Sequence, residues 1–292
     1  MKRRTFLAAA VPLGALSLDA PALAAPREAE RFLERAWRLP RGAAYELRLG
    51  ALGLDLAGAL AATDAWSVPP DATLVLRLAD GEHHHARTLA VRHPAGARLA
   101  IVGNREHPER CRLLWSGPDD GLYVGAGCVL GLLDGLTLEH AAPGGRALGS
   151  AVLADEGGTI RCGAAVHARH FYYGFQARIG GVIRCAGTQS HGAGDANYFA
   201  FNGGHLYARK ALATGARDER QGLGSGFVAE YGGSIDAEGA VARENLLAGF
   251  TALSNGVIRA HGAVAERNGR PSHTDSGGRV LGRGEADGAA RR

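Results

Sequence analysis

Across 292 residues, a balance of 46% hydrophobic to 21% charged side chains belongs to a chain that buries a core, which excludes a disordered polymer. The 44 glycines argue against helices, because each costs roughly 1 kcal/mol against Ala in a helix interior, and point to many tight turns. A formal charge of only +4 predicts neither a nucleic-acid partner nor a strong attraction to acidic membranes.

Residues 1–24 read as an export signal: the basic Lys2-Arg3-Arg4, an apolar stretch from Phe6 to Leu18, then Ala22-Leu23-Ala24 as a small-residue cleavage site. The stretch is shorter than the roughly 20 residues of a spanning helix, so stable membrane insertion is not expected. Arg3-Arg4 ahead of Thr5-Phe6-Leu7 resembles a twin-arginine signal, the address of proteins exported already folded, and predicts a periplasmic or secreted protein. Cleavage removes Lys2, Arg3, Arg4 and Asp19 and leaves +2. Residues 25–44 follow as a capping helix and linker, with Phe32, Leu33, Ala36 and Trp37 on one stripe of a helix over Arg27–Trp37. That helix is expected to cover the open end of the body.

The body, residues 45–269, repeats. Strand grammar begins at Thr73 with "TLVLRLADG" and returns in "ARLAIVGN". Further on, an anchor glycine recurs at Gly158, Gly181, Gly204, Gly233 and Gly256, in steps of 23, 23, 29 and 23, so one repeat carries a six-residue insertion. Two residues after each anchor stand Ile160, Ile183, Leu206, Ile235 and Ile258; six residues before it stand Val152, Phe175, Tyr198, Phe227 and Phe250. A fixed period of this length marks a solenoid whose repeats complete one another's core. Leucine-rich repeats share the period but place leucines where this chain has Gly, Ile, Ala and Phe. Short period-2 segments such as "GGSIDAEGAVA" predict an all-β, single-stranded parallel β-helix of nine or ten rungs. Residues 270–292, rich in Gly and Arg, are expected to form a disordered tail.

The stretches "VLRLADGEH", "AIVGNREHP", "GLYVGAGCVLGLLDGLTLEH" and the "GF-x-A-x-x-GG-x-I-x-A-x-G" rungs resemble right-handed β-helix proteins of the pectin-lyase-like group, especially those of phage tail fibres and their bacterial relatives. The resemblance covers about residues 70 to 268 and implies the fold. For activity it implies a range, from pectate lyases, polygalacturonases, epimerases and tailspike hydrolases to inert binding shafts. The aspartate cluster that holds Ca²⁺ in pectate lyases and the paired aspartates of polygalacturonases are not visible, so no mechanism carries over residue by residue.

Outward positions of a β-helix stack into columns, so the repeat alignment also maps the surface. Past the anchor, three successive rungs change character at one edge: His167, His170 and Tyr172 with Tyr173 beside it, then His191 and Asp195, then the insertion with Arg217, Asp218, Glu219 and Arg220. Imidazole or phenol can act as base or acid, a carboxylate pair can hydrolyse a glycosidic bond, and Arg can stabilise a carboxylate. His167, His170, Tyr172, His191, Asp195, Asp218 and Glu219 are the candidate catalytic residues. Arg161, Arg184 and Tyr207 form a partly basic column and, with Arg220 and the aromatic face of Trp115 near Asp119 and Asp120 as a sugar platform, are the candidate substrate-binding residues. His83 and His85 share a strand face but lack a third ligand, so neither a metal nor another cofactor is assigned. Cys162 and Cys185 fall in one column of neighbouring rungs, either bridged or stacked as small buried side chains. The expected function is an exported β-helix protein that binds a polysaccharide and cleaves it by hydrolysis or elimination; the alternative is a non-catalytic glycan- or protein-binding module.

Overall fold

The computed structural model of the protein describes Gly42, residues 44–141 and residues 149–282. Its strands form three sheets in which every pairing is parallel and every neighbour lies one turn away in sequence. Sheet I has ten strands, from Ala44–Arg48 and Thr73–Arg77 to Arg279–Leu281; ten strands one turn apart make nine turns of a parallel β-solenoid. Sheets II and III have eight strands each, running from Leu89–Ala90 to Arg270–Thr274 and from Gly81–His85 to Val264–Glu266.

The anchor glycine sets the repeat. Ahead of it, two residues with positive φ reverse the chain, as at Asn202 (46°) and Gly203 (73°), and the anchor then packs directly on a carbonyl of the preceding turn. A Cβ on Gly158, Gly181, Gly204, Gly233 or Gly256 would collide with the oxygen of Val124, Ala154, Ala177, Ala200 or Ala229. Once that register is held, the apolar columns coincide. Ile160, Ile183, Leu206, Ile235 and Ile258 pair in succession in sheet I and are all buried. In sheet II the interior column Phe175, Tyr198, Phe227 and Phe250 stacks ring on ring, with centroids 5.1, 4.8 and 5.2 Å apart. Stacked aromatics add to the area they bury, so this column is a main cohesive element of the C-terminal half.

At the corner leading from sheet III to sheet II, asparagines join the turns. Asn245 Nδ2 donates to Asn268 Oδ1 at 2.8 Å and Asn197 Nδ2 donates to Asn245 Oδ1 at 3.1 Å, all three satisfying backbone groups that the corner would otherwise leave unpaired. Asn197 reaches Asn245 across the turn that carries the insertion, which projects as a small hairpin closed by Asp218 and Leu223.

One expectation changes. The body runs beyond residue 269: Arg270–Thr274 and Arg279–Leu281 pair with Ala248–Ala252 and Val257–Arg259, so twelve residues assigned to the tail belong to the last turn. Here Gly277-Gly278 repeats the turn, with Gly278 against the Ala252 carbonyl, although the side chains around it are polar. Cys162 and Cys185, aligned as expected, are free buried thiols. The expected capping helix at Arg27–Trp37 lies outside the described residues. Within them, Leu49–Leu52 and Leu56–Thr63 are helical and replace the sheet II and sheet III strands of the first turn, with Leu56, Ala59 and Leu60 in the common core. No helix among the described residues is long and apolar enough to cross a membrane.

Gly204→Ala is expected to lower stability by more than 2 kcal/mol, because backbone must move to admit the methyl group. Gly203→Ala meets open space and bears only a left-handed φ, about 1 kcal/mol. Urea unfolding of the two variants checks the order.

Candidate functional site

The residues expected at one edge are divided by a corner of the solenoid. His167, His170 and His191 line a groove of about 440 Å³ on the outer face of sheet III, together with Arg169, Gln189, Thr214 and Arg243. Asp195 lies past the corner in a second groove, of about 540 Å³, on the outer face of sheet II. Tyr172 stands at the corner itself, its ring edge-on to Tyr173 at 4.8 Å.

The sheet II groove combines carboxylates with aromatic faces. Asp119, Asp120, Asp195 and Glu230 line it, with Tyr173, Gln176, Arg178, Phe199 and Phe201. Tyr173 stacks on Phe199 at 4.8 Å, Phe199 leans on Phe201 at 5.6 Å, and Phe201 meets exposed Tyr231 at 5.2 Å, giving an aromatic strip across successive turns. The polar groups are held in place. Ser150 N–H donates to Asp120 Oδ1 at 2.7 Å, and the Ser150 hydroxyl donates to Gln176 Oε1 at 2.7 Å. Arg178 is bound to Asp155, with Nε and Nη2 at 2.9 and 2.8 Å from Oδ2, so its charge is already compensated.

Asp195 is the perturbed acid of this groove. Burial, then the neighbouring Glu230 and Asp218, push its carboxyl up to about 6 against the stabilising hydrogen bond from Tyr173. Burial also raises Glu230 above the usual carboxylate range, and it raises the Tyr173 hydroxyl. An acid that keeps its proton up to about pH 6 beside a second carboxylate, under an aromatic strip, can donate a proton to a leaving oxygen while a sugar ring rests on the rings.

The remaining candidates occupy other surroundings. Asp218 shapes the insertion hairpin, its Oδ1 accepting from the N–H groups of Arg220 and Gln221 at 3.0 and 3.2 Å, and contributes to Asp195 only through its charge. Glu219, ion-paired with Arg217, and Arg220 are exposed on that hairpin. Arg161, Arg184 and Tyr207 sit on the outer face of sheet I, with the Arg184 guanidinium 5.2 Å over the Tyr207 ring. Trp115 is a correction: it is buried at 1% exposure, its Nε1 donates to the Arg87 carbonyl at 3.1 Å, and it packs on His85 and Phe171, so it offers no face to a sugar. Strand parity places it inward with Cys111 and Leu113. Gln176, Phe199, Phe201 and Glu230 were missed, yet the alignment of "FQAR", "YFAF" and "FVAE" puts them at the outward positions flanking the inward alanines Ala177, Ala200 and Ala229.

His85 is buried and burial lowers it to about 4. Among the described residues, no group of three or more His, Cys, Asp and Glu side chains converges as a metal site. No protein-family model, curated protein or solved structure matches the chain.

The two perturbed groups act oppositely on stability. Asp195, raised from an unfolded value near 3.9, keeps its proton in the folded chain, so its contribution falls as pH rises from about 4 to about 6. His85, lowered from near 6.5, is neutral when folded, so its contribution grows as pH rises from about 4 to 6.5. Asp195→Asn removes only the falling contribution. Relative to the unmodified protein, the variant is expected to gain about 2 kcal/mol between pH 4 and pH 7. Urea unfolding at both pH values measures it, and an unchanged difference would reject the raised carboxyl.

Proposed function

We propose that this is an exported carbohydrate-active protein that binds a polysaccharide along the aromatic strip of sheet II and hydrolyses it, with Asp195 as proton donor and Glu230 as the second carboxylate. One observation carries the reading: a half-buried acid raised to about 6 shares a groove with another carboxylate and with the stacked rings of Tyr173 and Phe199. Tyr173 orients Asp195 through its hydroxyl, and Gln176 offers an amide to sugar hydroxyls. Hydrolysis fits better than elimination. Elimination from a uronate needs the sugar carboxylate neutralised, and the cation in the groove, Arg178, is already engaged by Asp155, while four carboxylates line the walls. The favoured substrate is therefore a neutral glycan.

The second reading, a non-catalytic glycan-binding module, draws on the aromatic strip, which grips sugars without a proton donor. Reducing-end release over a panel of neutral and acidic polysaccharides separates the two. On a hydrolysed glycan, Asp195→Asn is expected to lower kcat by at least about 100-fold with little change in affinity, and Phe199→Ala to weaken binding about tenfold. A folded protein that binds a glycan without cleaving it supports the module, and one inert towards the whole panel defeats both readings.

A further inference from the structure

The sheet III groove has the opposite electrostatic character. Along one outward column the register runs Glu139, Arg169, His191, Thr214, Arg243 and Glu266. The four middle residues all line the groove of about 440 Å³, whose walls also bear His167 and His170 and contain no Asp or Glu. Among the described residues, neither Arg169 nor Arg243 is in an ion pair, whereas Arg112, Arg178 and Arg209 each hold a carboxylate. At one end of the column Glu139, the neighbour of Arg169, is occupied by Arg112 at 3.1 Å; at the other, Glu266 stands beside Arg243 on the adjacent strand without forming an ion pair with it.

Between these ends, Thr214 Oγ1 is 2.8 Å from His191 Nδ1, which fixes the ring and leaves Nε2 as its unengaged nitrogen. The His170 ring stands edge-on to it at 5.8 Å. Arg169 and Arg243 are three turns apart in this column, about 14 Å at the spacing of hydrogen-bonded strands. Two unengaged guanidiniums at that separation, with imidazole and hydroxyl donors between them, suit a linear ligand bearing an oxyanion near each end, since the planar guanidinium fork matches sulfate and phosphate oxygens.

We propose that the Arg169–His191–Thr214–Arg243 column is a binding track for a linear oligo-oxyanion carrying sulfate or phosphate groups. It is a site distinct from the carboxylate groove, from which the corner at Tyr172 separates it, and it does not depend on the hydrolytic reading.

Fluorescence anisotropy of the full chain with a labelled sulfated oligosaccharide and, separately, a labelled short linear polyphosphate tests the proposal and distinguishes the two sources of oxyanion. Saturable binding of at least one probe is expected, weakened about tenfold by Arg169→Ala and by Arg243→Ala and further by the double variant. Asp195→Asn and the sheet I pair Arg161→Ala with Arg184→Ala are expected to leave it unchanged, with circular dichroism verifying the fold of each variant. Three outcomes would overturn the proposal: no saturable binding of either probe by the folded protein, equal loss in the sheet I pair, or equally tight binding of the unsulfated oligosaccharide.

Discussion

The close approach of a glycine Cα to the carbonyl of the preceding turn is the constraint on which the remainder of this structure depends. At Gly158, Gly181, Gly204, Gly233, Gly256 and Gly278 a side chain of any size would push neighbouring turns apart. At these turns the contact leaves room for a glycine and not for a side chain, and the hydrogen-bonded strands keep their ordinary spacing. Repeated from Gly158 to Gly278, it keeps the register of these turns constant, and constant register lets a column of Ile or Phe become a continuous core. A repeat of this size cannot enclose its own apolar side chains, so cohesion comes from neighbours. The stacked rings from Phe175 to Phe250 are the clearest product of that arrangement.

The same regularity explains how much of the fold was legible. Period, anchor and inward columns are properties of a line of text, and Ile160, Ile183 and Ile235 do face one interior. The last turn was misjudged because Arg270–Thr274 lacks apolar side chains, although the Gly277-Gly278 turn carried the same backbone instruction as its predecessors. The candidate site was legible only in part. An alignment shows which residues share a height, but not on which side of a corner each comes to rest. His191 and Asp195 are four residues apart and face different grooves. Glu230 and Phe199 acquire their setting from the residues stacked beside them. Trp115 was misplaced by its proximity to Asp119 and Asp120, where parity with Leu113 was the better guide.

A solenoid gives each face its own chemistry at little cost to the others. Sheet I presents mixed charges over a uniform aliphatic ladder, sheet II gathers carboxylates and aromatic rings, and sheet III gathers imidazoles and guanidiniums. The interior columns are nearly invariant while the outward ones differ, so surface chemistry varies without disturbing the packing. The inserted hairpin at Asp218 follows this logic: it leaves the strands on either side in register, and Asn197 and Asn245 close the corner beneath it.

The last of the described turns differs from the earlier ones in the character of its side chains. Its strands carry Arg270, Pro271, His273 and Arg279, and most of these side chains are open to water. A stack whose top layer copied the layers below would be a template on which another molecule could continue, turn upon turn, into a fibre. Arginines, costly to desolvate, and a proline without an N–H to offer make this layer a poor seed for such continuation.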